Sequence, residues 1–382
     1  MKKIIISPDS FKGSLTSVEV SNAIEDGIKK VFPNCKTVKI PIADGGEGTM
    51  DTLVSAMNGR KIQVKVHDPL MRIIEVEYGL VNDGKTAVIE MATASGLTLL
   101  TKQEQDPSAT TTYGTGEIIK DALLQGCRSF LIGIGGSATN DAGTGMLKAL
   151  GYRFLDKNGE ETDGIGKSLD SICSIDDSGV MPEIKEAHFT IACDVNNPFS
   201  GPNGAAFVYA PQKGANEQMI IELDDGMENF RQLIEKEKKI DLNTIPGSGA
   251  AGGLGGGFVA FLNAELKPGI EMVLEAVGFK NHLQNAELVI TGEGRLDKQT
   301  GMGKAASGIL NAASKSNVPV IALGGSIEDV ENLNKRGFIS VFSITPCPLS
   351  LEEAMRKDTT RSNIIQTTEQ IMRTIKHFKN KN

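Results

Sequence analysis

The chain has 382 residues, of which 40% are hydrophobic and 23% charged, the composition of an ordinary soluble globular protein. Its net charge of -8 argues against a nucleic acid or an anionic membrane as partner. An anionic ligand would therefore need Lys and Arg side chains placed locally around it. The length exceeds what one hydrophobic core usually serves, so two domains are expected.

The chain carries no pattern typical of export, of membrane spanning or of metal-binding cysteines. The N-terminal apolar run stops after three isoleucines, too short for a signal peptide, and no apolar stretch approaches a membrane span. The five cysteines form no C-x-x-C pair, and the four histidines are scattered. We therefore expect neither a zinc site nor a disulfide framework, and we predict a cytoplasmic protein.

The N-terminal part of the chain alternates short strands with helices. Apolar and β-branched runs predict strands at 3–7 and 37–42, and helical spacing predicts helices at about 17–31 and 49–57. A polar loop follows each strand, with the sequence SPDSFKGS after the first and ADGGEG after the second. This is the start of an α/β pattern.

The C-terminal part of the chain shows the same alternation. Strands are predicted at 288–290, 318–323 and 339–344, and helices at 304–316 and 328–336. Continuous apolar strands between helices are typical of a parallel sheet that is covered on both faces. We therefore predict one doubly wound α/β domain, similar to Rossmann and flavodoxin folds, formed by residues 1–62 and 284–382. The polar residues 377–382 are expected to fray.

The middle of the chain, residues 63–283, is predicted to be a second α/β domain inserted into the first. Its predicted strands lie at 63–66, 74–78, 87–90, 129–134 and 188–192. Several helical stretches separate these strands, so this domain also has the composition of an α/β layer structure.

The stretch IGIGGSATNDAGTG, residues 132–145, leads from a buried strand into a helix. Glycines there would leave backbone N–H groups uncovered near a helix N-terminus, which suits a phosphate group. The alternative is a tight packing turn, which would explain Gly135 and Gly136 but not the polar residues after them. Those residues, some of which would cap the helix, are Ser137, Thr139, Asn140 and Asp141. We favour ligand binding over packing here.

Two other glycine motifs do not predict nucleotide binding. Residues 247–252 match G-x-G-x-x-G, but they follow a polar segment that contains proline instead of a strand. Gly303 and Lys304 resemble the end of a P-loop. However, Ala305 replaces the required Ser or Thr, and Lys298 stands where the first glycine belongs.

Charged residues follow three strands of the predicted outer domain at their carboxyl ends, where open α/β sheets bind ligands. They are Asp9, Lys12, Asp44, Glu47, Glu293, Arg295 and Asp297. Each alone could cap a helix or a turn. Together, carboxylates beside Lys and Arg suit a site for Mg²⁺ and phosphate, where cations neutralise the phosphoryl charge.

The inserted domain adds three further candidates. Residues 111–116, TTYGTG, precede a predicted helix and form a second candidate anion site. Asp194 follows the strand at 188–192 and is either a metal ligand, a base or a turn residue. Glu90 stands in an apolar run, where a carboxylate is costly unless paired. It belongs either to a structural ion pair or to a site.

Taken in order, these motifs resemble the type-1 glycerate kinase family over nearly the whole chain. The resemblance rests on DSFKGS (9–14), ADGGEGT (43–49), DPL (68–70), IEMATASGL (89–97), TTYGTGE (111–117), IGIGGSATNDAG (132–143), ACDVNNPFSGPNGA (192–205), PQKGA (211–215), PGSGAAGGLGGG (246–257) and TGEGRLDKQT (291–300). The set is more specific than any one motif. Two departures, Ala306 for a usual Pro and NDAG for a common NDGG, remove no reactive group.

The resemblance implies an enzyme that phosphorylates D-glycerate with ATP and Mg²⁺, built from two α/β domains with the active-site cleft between them. The DSFKGS, ADGGEG and TGEGR loops would line one wall of that cleft, with GGSATND and CDVNNP opposite. The catalytic residues would be Lys12, Asp44, Asp194 and Arg295. The substrate-binding or nucleotide-binding residues would be Asp9, Ser10, Gly45, Gly46, Glu47, Thr115, Gly135, Gly136, Ser137, Asn140, Asp141, Gly292 and Glu293.

The implied mechanism is direct in-line transfer to a glycerate hydroxyl group, which needs positioning and charge more than covalent chemistry. We expect Lys12 to act on the transferring phosphoryl group or on the glycerate carboxylate. Arg295 would bind a carboxylate or phosphate through its planar fork. Asp194 and Asp297 are candidate Mg²⁺ ligands, and the choice of base among them and Asp44 stays open. The family favours transfer to O2, which gives 2-phosphoglycerate, and transfer to O3 is the alternative.

Two other function classes compete with this prediction. A hydroxy-acid dehydrogenase would need a dinucleotide fingerprint and often a His–carboxylate pair, but His67 and His188 have no acidic partner within a motif. A non-catalytic metabolite sensor would need neither the carboxylate cluster nor magnesium-dependent ATP turnover. The expected partners are the small-molecule substrates, and the sequence leaves a homo-oligomer open.

Overall fold

The computed structural model describes residues 1–43, 48–296 and 305–379 of the chain. The chain forms two compact units. The terminal unit comprises Met1–Asp44 and Val273–Asn382, and the central unit comprises Gly45–Met272. Both chain ends therefore belong to one unit, and the central unit is inserted between them.

The described residues form strands, α-helices and short 3₁₀ helices. The strands are β1 (Lys3–Ile6), β2 (Lys36–Lys39), β3 (Arg60–His67), β4 (Ile73–Val81), β5 (Thr86–Glu90), β6 (Ser129–Gly133), β7 (Arg153–Leu155), β8 (Ser174–Asp176), β9 (His188–Ala192), β10 (Glu265–Lys267), β11 (Leu288–Leu296), β12 (Val320–Ile327) and β13 (Ser340–Ser343). The α-helices are α1 (Ser17–Lys29), α2 (Thr49–Ala56), α3 (Ala92–Ser95), α4 (Tyr113–Leu124), α5 (Thr144–Ala149), α6 (Ala205–Tyr209), α7 (Glu217–Lys238), α8 (Leu254–Leu262), α9 (Gly269–Ala276), α10 (Phe279–His282), α11 (Ala305–Ser314), α12 (Val330–Arg336), α13 (Leu351–Met355) and α14 (Lys357–Lys379). The 3₁₀ helices are Leu97–Leu99, Gly166–Ser171, Pro182–Glu186, Pro211–Lys213 and Leu242–Thr244.

The terminal unit is built on a parallel sheet with the strand order β2-β1-β11-β12-β13. Numbered within this unit, the order is 2-1-3-4-5, which is that of flavodoxin-like doubly wound folds. The predicted doubly wound domain formed by both chain ends is confirmed. In such sheets, ligands bind at the carboxyl ends of the strands where the order reverses, which here is between β1 and β11.

The core of the terminal unit follows from its apolar strand and helix faces. The isoleucines of β1, Ile4–Ile6, are completely buried between two neighbouring strands and the covering helices. Helix α1 begins at a capping box in which Thr16 and Glu19 satisfy each other's backbone N–H groups. Its buried face packs on α14, a helix that was not predicted from the sequence. Within the described residues, no helix is long and apolar enough to cross a membrane.

The central unit has a mixed sheet with the strand order β10-β9-β6-β5-β4-β3. Strands β10, β9, β6 and β5 run parallel to one another. Strand β4 is antiparallel to β5, and β3 is antiparallel to β4. A separate two-stranded ribbon pairs β7 with β8. The carboxyl ends of β5, β6 and β9 therefore meet at one edge of this sheet.

Some elements differ from those predicted. Strand β11 continues to Leu296 instead of ending at residue 290, because it stays paired with β12 as far as Ile327. The segment TGEGRL is therefore strand and not loop. The structure divides the chain before α2 and not after residue 62, because α2 packs on β4 and β5 of the central sheet. The second division lies at residues 272/273, and the sequence placed it at 283/284.

The C-terminal tail and the interdomain cleft were also predicted. Residues 377–379, expected to fray, continue α14 as helix, and residues 380–382 lie outside the described part of the chain. The structure describes each unit by itself, so the cleft stays a prediction.

Close packing of two helices in the central unit gives a first testable prediction. A Cβ atom on Gly145 of α5 would lie 1.9 Å from the Oγ1 atom of Thr111, next to the start of α4. We expect Gly145→Ala to lower the free energy of unfolding by roughly 2 kcal/mol, because overpacking forces the helices apart. Gly135→Ala is the control, since a Cβ atom there would meet no atom within 4 Å. Guanidinium denaturation measures both, and equal midpoints for the two variants would contradict the prediction.

Candidate active site

The terminal unit has a cavity of about 450 Å³ beyond the carboxyl ends of its strands, in the usual range of small-molecule sites. Its lining comes from the loop after β1, the end of β11, β12 and the segment that contains α13. The lining residues are Asp9, Ser10, Phe11, Lys12, Ser14, Glu293, Gly294, Arg295, Gly325, Ser326, Ile344, Thr345, Leu351, Ala354, Met355 and Thr360. The cavity therefore brings together five residues that were predicted to bind substrate or act in catalysis.

Two carboxylates of this cavity, Asp9 and Glu293, lie side by side in the sheet. The register that pairs Ile6 with Ile290 continues beyond β1, since the Asp9 N–H donates to the Gly292 carbonyl oxygen at 2.8 Å. This register places Asp9 opposite Glu293. Their exposed fractions are only 7% and 9%. Two nearly buried carboxylates at one cavity wall are costly unless charged or polar partners stabilise them.

A tight turn presents Lys12 to the cavity. Phe11 and Leu15 are buried anchors, and the Leu15 N–H donates to the Phe11 carbonyl oxygen at 3.1 Å. Gly13 has a φ of +78°, a conformation that glycine adopts without strain. Lys12 is exposed at the tip of this turn and lines the cavity.

Arg295 extends from the end of β11, with 61% of its side chain exposed. Its Nη2 atom donates to the Oε1 atom of Glu328, which is also largely exposed. An ion pair between two exposed side chains is worth at most about 1 kcal/mol, so a ligand anion can compete for the guanidinium group. Gly292, predicted as a binding residue, allows close strand packing, because a Cβ atom there would lie 2.5 Å from the Leu323 carbonyl oxygen.

Several predicted site residues lie outside the described residues. They are Asp44, Gly45, Gly46, Glu47 and Asp297. Gly303 and Lys304, which were rejected as a P-loop, also lie there.

In the central unit, the loop after β6 exposes two glycines. A Cβ atom on Gly135 would meet no atom within 4 Å, and one on Gly136 would meet only Ala92 Cβ, at 3.5 Å. Gly136 has a φ of +77°. Packing therefore does not explain the absence of a side chain at Gly135, whereas an open approach to the backbone does. This favours ligand binding over the packing turn.

Ser137 follows these glycines and is held by a lysine that the sequence analysis did not identify. Lys213 is 1% exposed, and its Nζ atom donates to Ser137 Oγ and to the Thr139 carbonyl oxygen, both at 2.6 Å. Burial lowers the pKa of Lys213 to about 7, and the charge of Asp141 opposes this shift. The motif PQKGA contains this lysine, but no spacing pattern in the sequence distinguishes it from a surface lysine.

Asp141 is held by hydrogen bonds from the protein itself. Its carboxylate is completely buried and accepts hydrogen bonds from the backbone and hydroxyl of Thr112 at 2.8 and 2.7 Å. It also accepts the N–H groups of Gly143 and Gly145 at the start of α5. Burial raises the pKa of Asp141, and these hydrogen bonds oppose the rise. The predicted anion site at this helix N-terminus is therefore already filled by the protein's own carboxylate.

Two further predicted binding residues of the central unit are buried. Thr115 is inside α4, and its hydroxyl group is 2.7 Å from that of Ser95. Asn140 is completely buried, and its Nδ2 atom lies 3.2 Å from the Sδ atom of Met227. Within the described residues, Asn140 Oδ1 and Thr139 Oγ1 have no hydrogen-bond partner. Because Asn140 is completely buried, a ligand at the surface of the unit does not reach its side chain.

The carboxylates at the ends of β5 and β9 stabilise helix N-termini. Glu90 accepts the Met50 N–H in the first turn of α2 at 2.9 Å. Asp194 is exposed and accepts the N–H of Gly269, the first residue of α9, at 3.0 Å. Both contacts favour negative charge at the positive end of a helix. In the ranges that the structure describes, three or more His, Cys, Asp or Glu side chains nowhere gather in a metal-binding arrangement.

The features that could have supported a dehydrogenase have structural roles. In the G-x-G-x-x-G match, a Cβ on Gly252 would lie 2.1 Å from the Thr139 carbonyl oxygen, so this glycine serves packing. His67 does have an acidic partner, contrary to expectation, since its Nδ1 atom lies 3.0 Å from Glu117. Glu117 also accepts the backbone N–H of His67 and thereby anchors β3 to α4.

A sequence model described as the glycerate kinase family matches residues 4–376. The chain belongs to the glycerate kinase family. It is 48% identical over 358 residues to a glycerate kinase of Halalkalibacterium halodurans, with 94% of both chains covered. It is 46% identical over 355 residues to the glycerate 2-kinase of Escherichia coli, with 93% of both covered. A crystal structure of a protein assigned as glycerate kinase 2 in Salmonella typhimurium LT2 matches with a TM-score of 0.91, 42% identity and 99% coverage of both chains.

Membership of the glycerate kinase family confirms the fold class and the enzyme class predicted from the sequence, a kinase that acts on glycerate. The family implies ATP as the co-substrate. The dehydrogenase and sensor alternatives are thereby excluded.

The open surface at Gly135 gives a second prediction. We expect Gly135→Val to keep the melting temperature of the wild type, because a Cβ atom at this position meets no protein atom within 4 Å and its methyl groups extend from open space. We expect its kcat/KM for ATP to fall on the order of tenfold or more, because the side chain would cover the backbone at the phosphate position. Gly135→Ala should give a smaller loss. Steady-state kinetics and thermal denaturation measure both, and unchanged kinetics in the valine variant would mean that no ligand approaches this loop.

Proposed function

We propose that this chain transfers the γ-phosphoryl group of ATP to O2 of D-glycerate, with Mg²⁺ as the metal ion. The observation that carries this proposal is the cavity at the strand-order reversal of the terminal unit, where Asp9, Glu293, Lys12 and Arg295 meet. Mixed carboxylates and cations are what phosphoryl transfer requires. The choice of O2 rests on the similarity to the glycerate 2-kinase of Escherichia coli.

The cations of the cavity would stabilise charge during transfer. In the transition state, negative charge spreads over the phosphoryl oxygens, and a positive side chain held nearby lowers the barrier. Lys12 is suited to this because a rigid turn with buried anchors presents it to the cavity. Arg295 would bind the glycerate carboxylate or a phosphate group, and its exposed ion pair with Glu328 would break when it does so.

The carboxylates of the same cavity fit a magnesium ion. Mg²⁺ takes hard oxygen ligands and is usually bound by one or two carboxylates together with phosphate oxygens. Asp9 and Glu293 supply two such side chains at adjacent strand positions, and both are nearly buried. Bound there, Mg²⁺ would neutralise charge on the phosphates. We therefore add these residues to the earlier candidates, Asp194 and Asp297.

The chemical step forms one bond and breaks one. The O2 oxygen of glycerate forms a bond to the γ-phosphorus atom as the bond from phosphorus to the β,γ-bridging oxygen breaks, and ADP leaves. The O2 proton passes to a carboxylate acting as base. Asp44 stays a prediction for this role because it lies outside the described residues, and Asp194 uses Oδ1 to bind the N-terminus of α9.

The loop of the central unit would hold phosphate groups. Gly135 and Gly136 leave the backbone open, and Ser137 adds a hydroxyl group beside them. Lys213 donates a hydrogen bond to Ser137 Oγ from the interior of the unit. The cytoplasmic location and a homo-oligomer stay predictions from the sequence.

The proposed function predicts 2-phosphoglycerate as the product from D-glycerate, ATP and Mg²⁺. Phosphorus NMR of the reaction mixture identifies the phosphorylated oxygen directly. Coupling the product to enolase without phosphoglycerate mutase should give a signal, and omission of Mg²⁺ should abolish it. A signal that appears only when the mutase is added would show transfer to O3 instead.

The turn around Lys12 gives a further prediction. We expect Lys12→Met to reduce kcat on the order of 100-fold, because a preorganised positive charge near the phosphoryl group is lost. The melting temperature should stay near that of the wild type, since Lys12 is exposed and the turn is anchored by Phe11 and Leu15. Lys36→Met, at an exposed position of β2, is the control and should change neither quantity.

Two results would contradict the role of Lys12. An unchanged kcat with a raised KM would mean that Lys12 binds substrate and transition state equally. A variant that fails to fold would make Lys12 a structural residue.

A further inference from the structure

Lys213 is a buried lysine whose position the proposed mechanism does not yet use. It ends the 3₁₀ helix Pro211–Lys213 and is 1% exposed. Lysine is almost never this buried unless it is paired with an opposite charge. Among the described residues, its Nζ atom donates only to neutral oxygens, Ser137 Oγ and the Thr139 carbonyl, both at 2.6 Å.

The nearby negative charge does not neutralise this lysine by direct contact. Asp141 acts on Lys213 through its charge, but its carboxylate accepts its hydrogen bonds from Thr112, Gly143 and Gly145. The contacts of the Lys213 Nζ atom are therefore with the loop that contains Ser137 and Thr139, and not with the Asp141 carboxylate. Taking a lysine out of water in this way is costly, and the hydrogen bonds that its Nζ atom donates to Ser137 and Thr139 offset part of this cost.

The contact with Lys213 fixes the direction of the Ser137 hydroxyl group. In its ammonium form Lys213 has donors and no acceptor, so Ser137 Oγ accepts from it and the hydroxyl proton of Ser137 points away. This form predominates below the pKa of about 7 to which burial lowers the group. Ser137 is 7% exposed and directly follows the open glycines Gly135 and Gly136. The proton of Ser137 is thus available to a group that lies on that backbone.

We infer that Lys213 is a positioning residue that turns the Ser137 hydroxyl group outward as a donor to a phosphate bound at Gly135 and Gly136. The ammonium group also polarises that hydroxyl group and strengthens the hydrogen bond that it donates. This inference rests on the proposed function, in which the loop holds phosphate groups. It adds that Lys213 acts through Ser137 and never touches the substrate.

A double-mutant cycle of Lys213→Met and Ser137→Ala tests the inference. Methionine keeps the length of the side chain and removes its charge. We expect each single variant to lose kcat/KM for ATP on the order of 100-fold, as for other donors to a phosphoryl or oxyanion group. The double variant should lose no more than the larger single loss, because both changes remove the same interaction. Losses that multiply would overturn the inference.

Lys148→Met is the matched control for the cycle. Lys148 lies in α5, which follows the loop that contains Ser137, and its side chain is mostly buried. It contacts Glu161 at 3.0 Å and the Thr162 carbonyl oxygen, and not Ser137. Its effect should be small and should multiply with that of Ser137→Ala. A coupling as large as that of Lys213 would show a general effect of lysine removal and would overturn the inference.

Lys213→Gln covers the case in which Lys213→Met does not fold. Glutamine keeps N–H donors but has no charge, so we expect a several-fold loss of kcat/KM that disappears in the Ser137→Ala background. A loss that persists there, or failure of both Lys213 variants to fold, would make Lys213 purely structural. A wild-type protein without activity on D-glycerate would instead refute the proposed function, and the two failures are therefore distinguishable.

Discussion

The parallel pairing of β1 with β11 is the contact on which the terminal unit depends. It joins residues 284 positions apart, as in the hydrogen bond from Thr291 Oγ1 to the Ser7 carbonyl oxygen at 2.8 Å. The same register carries Asp9 to a position opposite Glu293. The strand order reverses at this pair, which in doubly wound sheets is where ligands bind, and the cavity lies at the carboxyl ends of these strands. The insertion of the central unit between the two strands leaves this geometry intact.

The glycines of the central unit have two opposite purposes. Gly145 and Gly252 allow backbone and side chains to approach within distances that a Cβ atom would forbid. Gly135 has open space where a side chain would be, so packing does not require a glycine there. The family motifs therefore contain glycines that packing requires and glycines that packing does not require. The presence of a glycine in a motif does not by itself show which kind it is.

Much of the fold could be predicted because strand and helix periods are local properties of the sequence. The apolar run Ile4–Ile6 and the amphipathic spacing of Ser17–Lys29 were located to within a few residues. The extension of β11 to Leu296 could not, because polar residues and glycines there are held by pairing with β12, a contact distant in sequence. The helix α14 was missed because its polar composition hides the narrow face that packs on α1.

The sequence by itself determined the family, the doubly wound fold class and the cluster of Asp9, Lys12, Glu293 and Arg295, since strand ends in a parallel sheet meet at one edge. Only the tertiary structure decided which polar residues face inward. Asp141 and Lys213 look alike in the sequence as charged residues in loops, yet both are buried behind one loop. Burial of a charge depends on the partners that the fold brings to it. Lys213 meets the distant Ser137 and Asp141 meets the distant Thr112, so the local sequence alone does not reveal that either charge is buried.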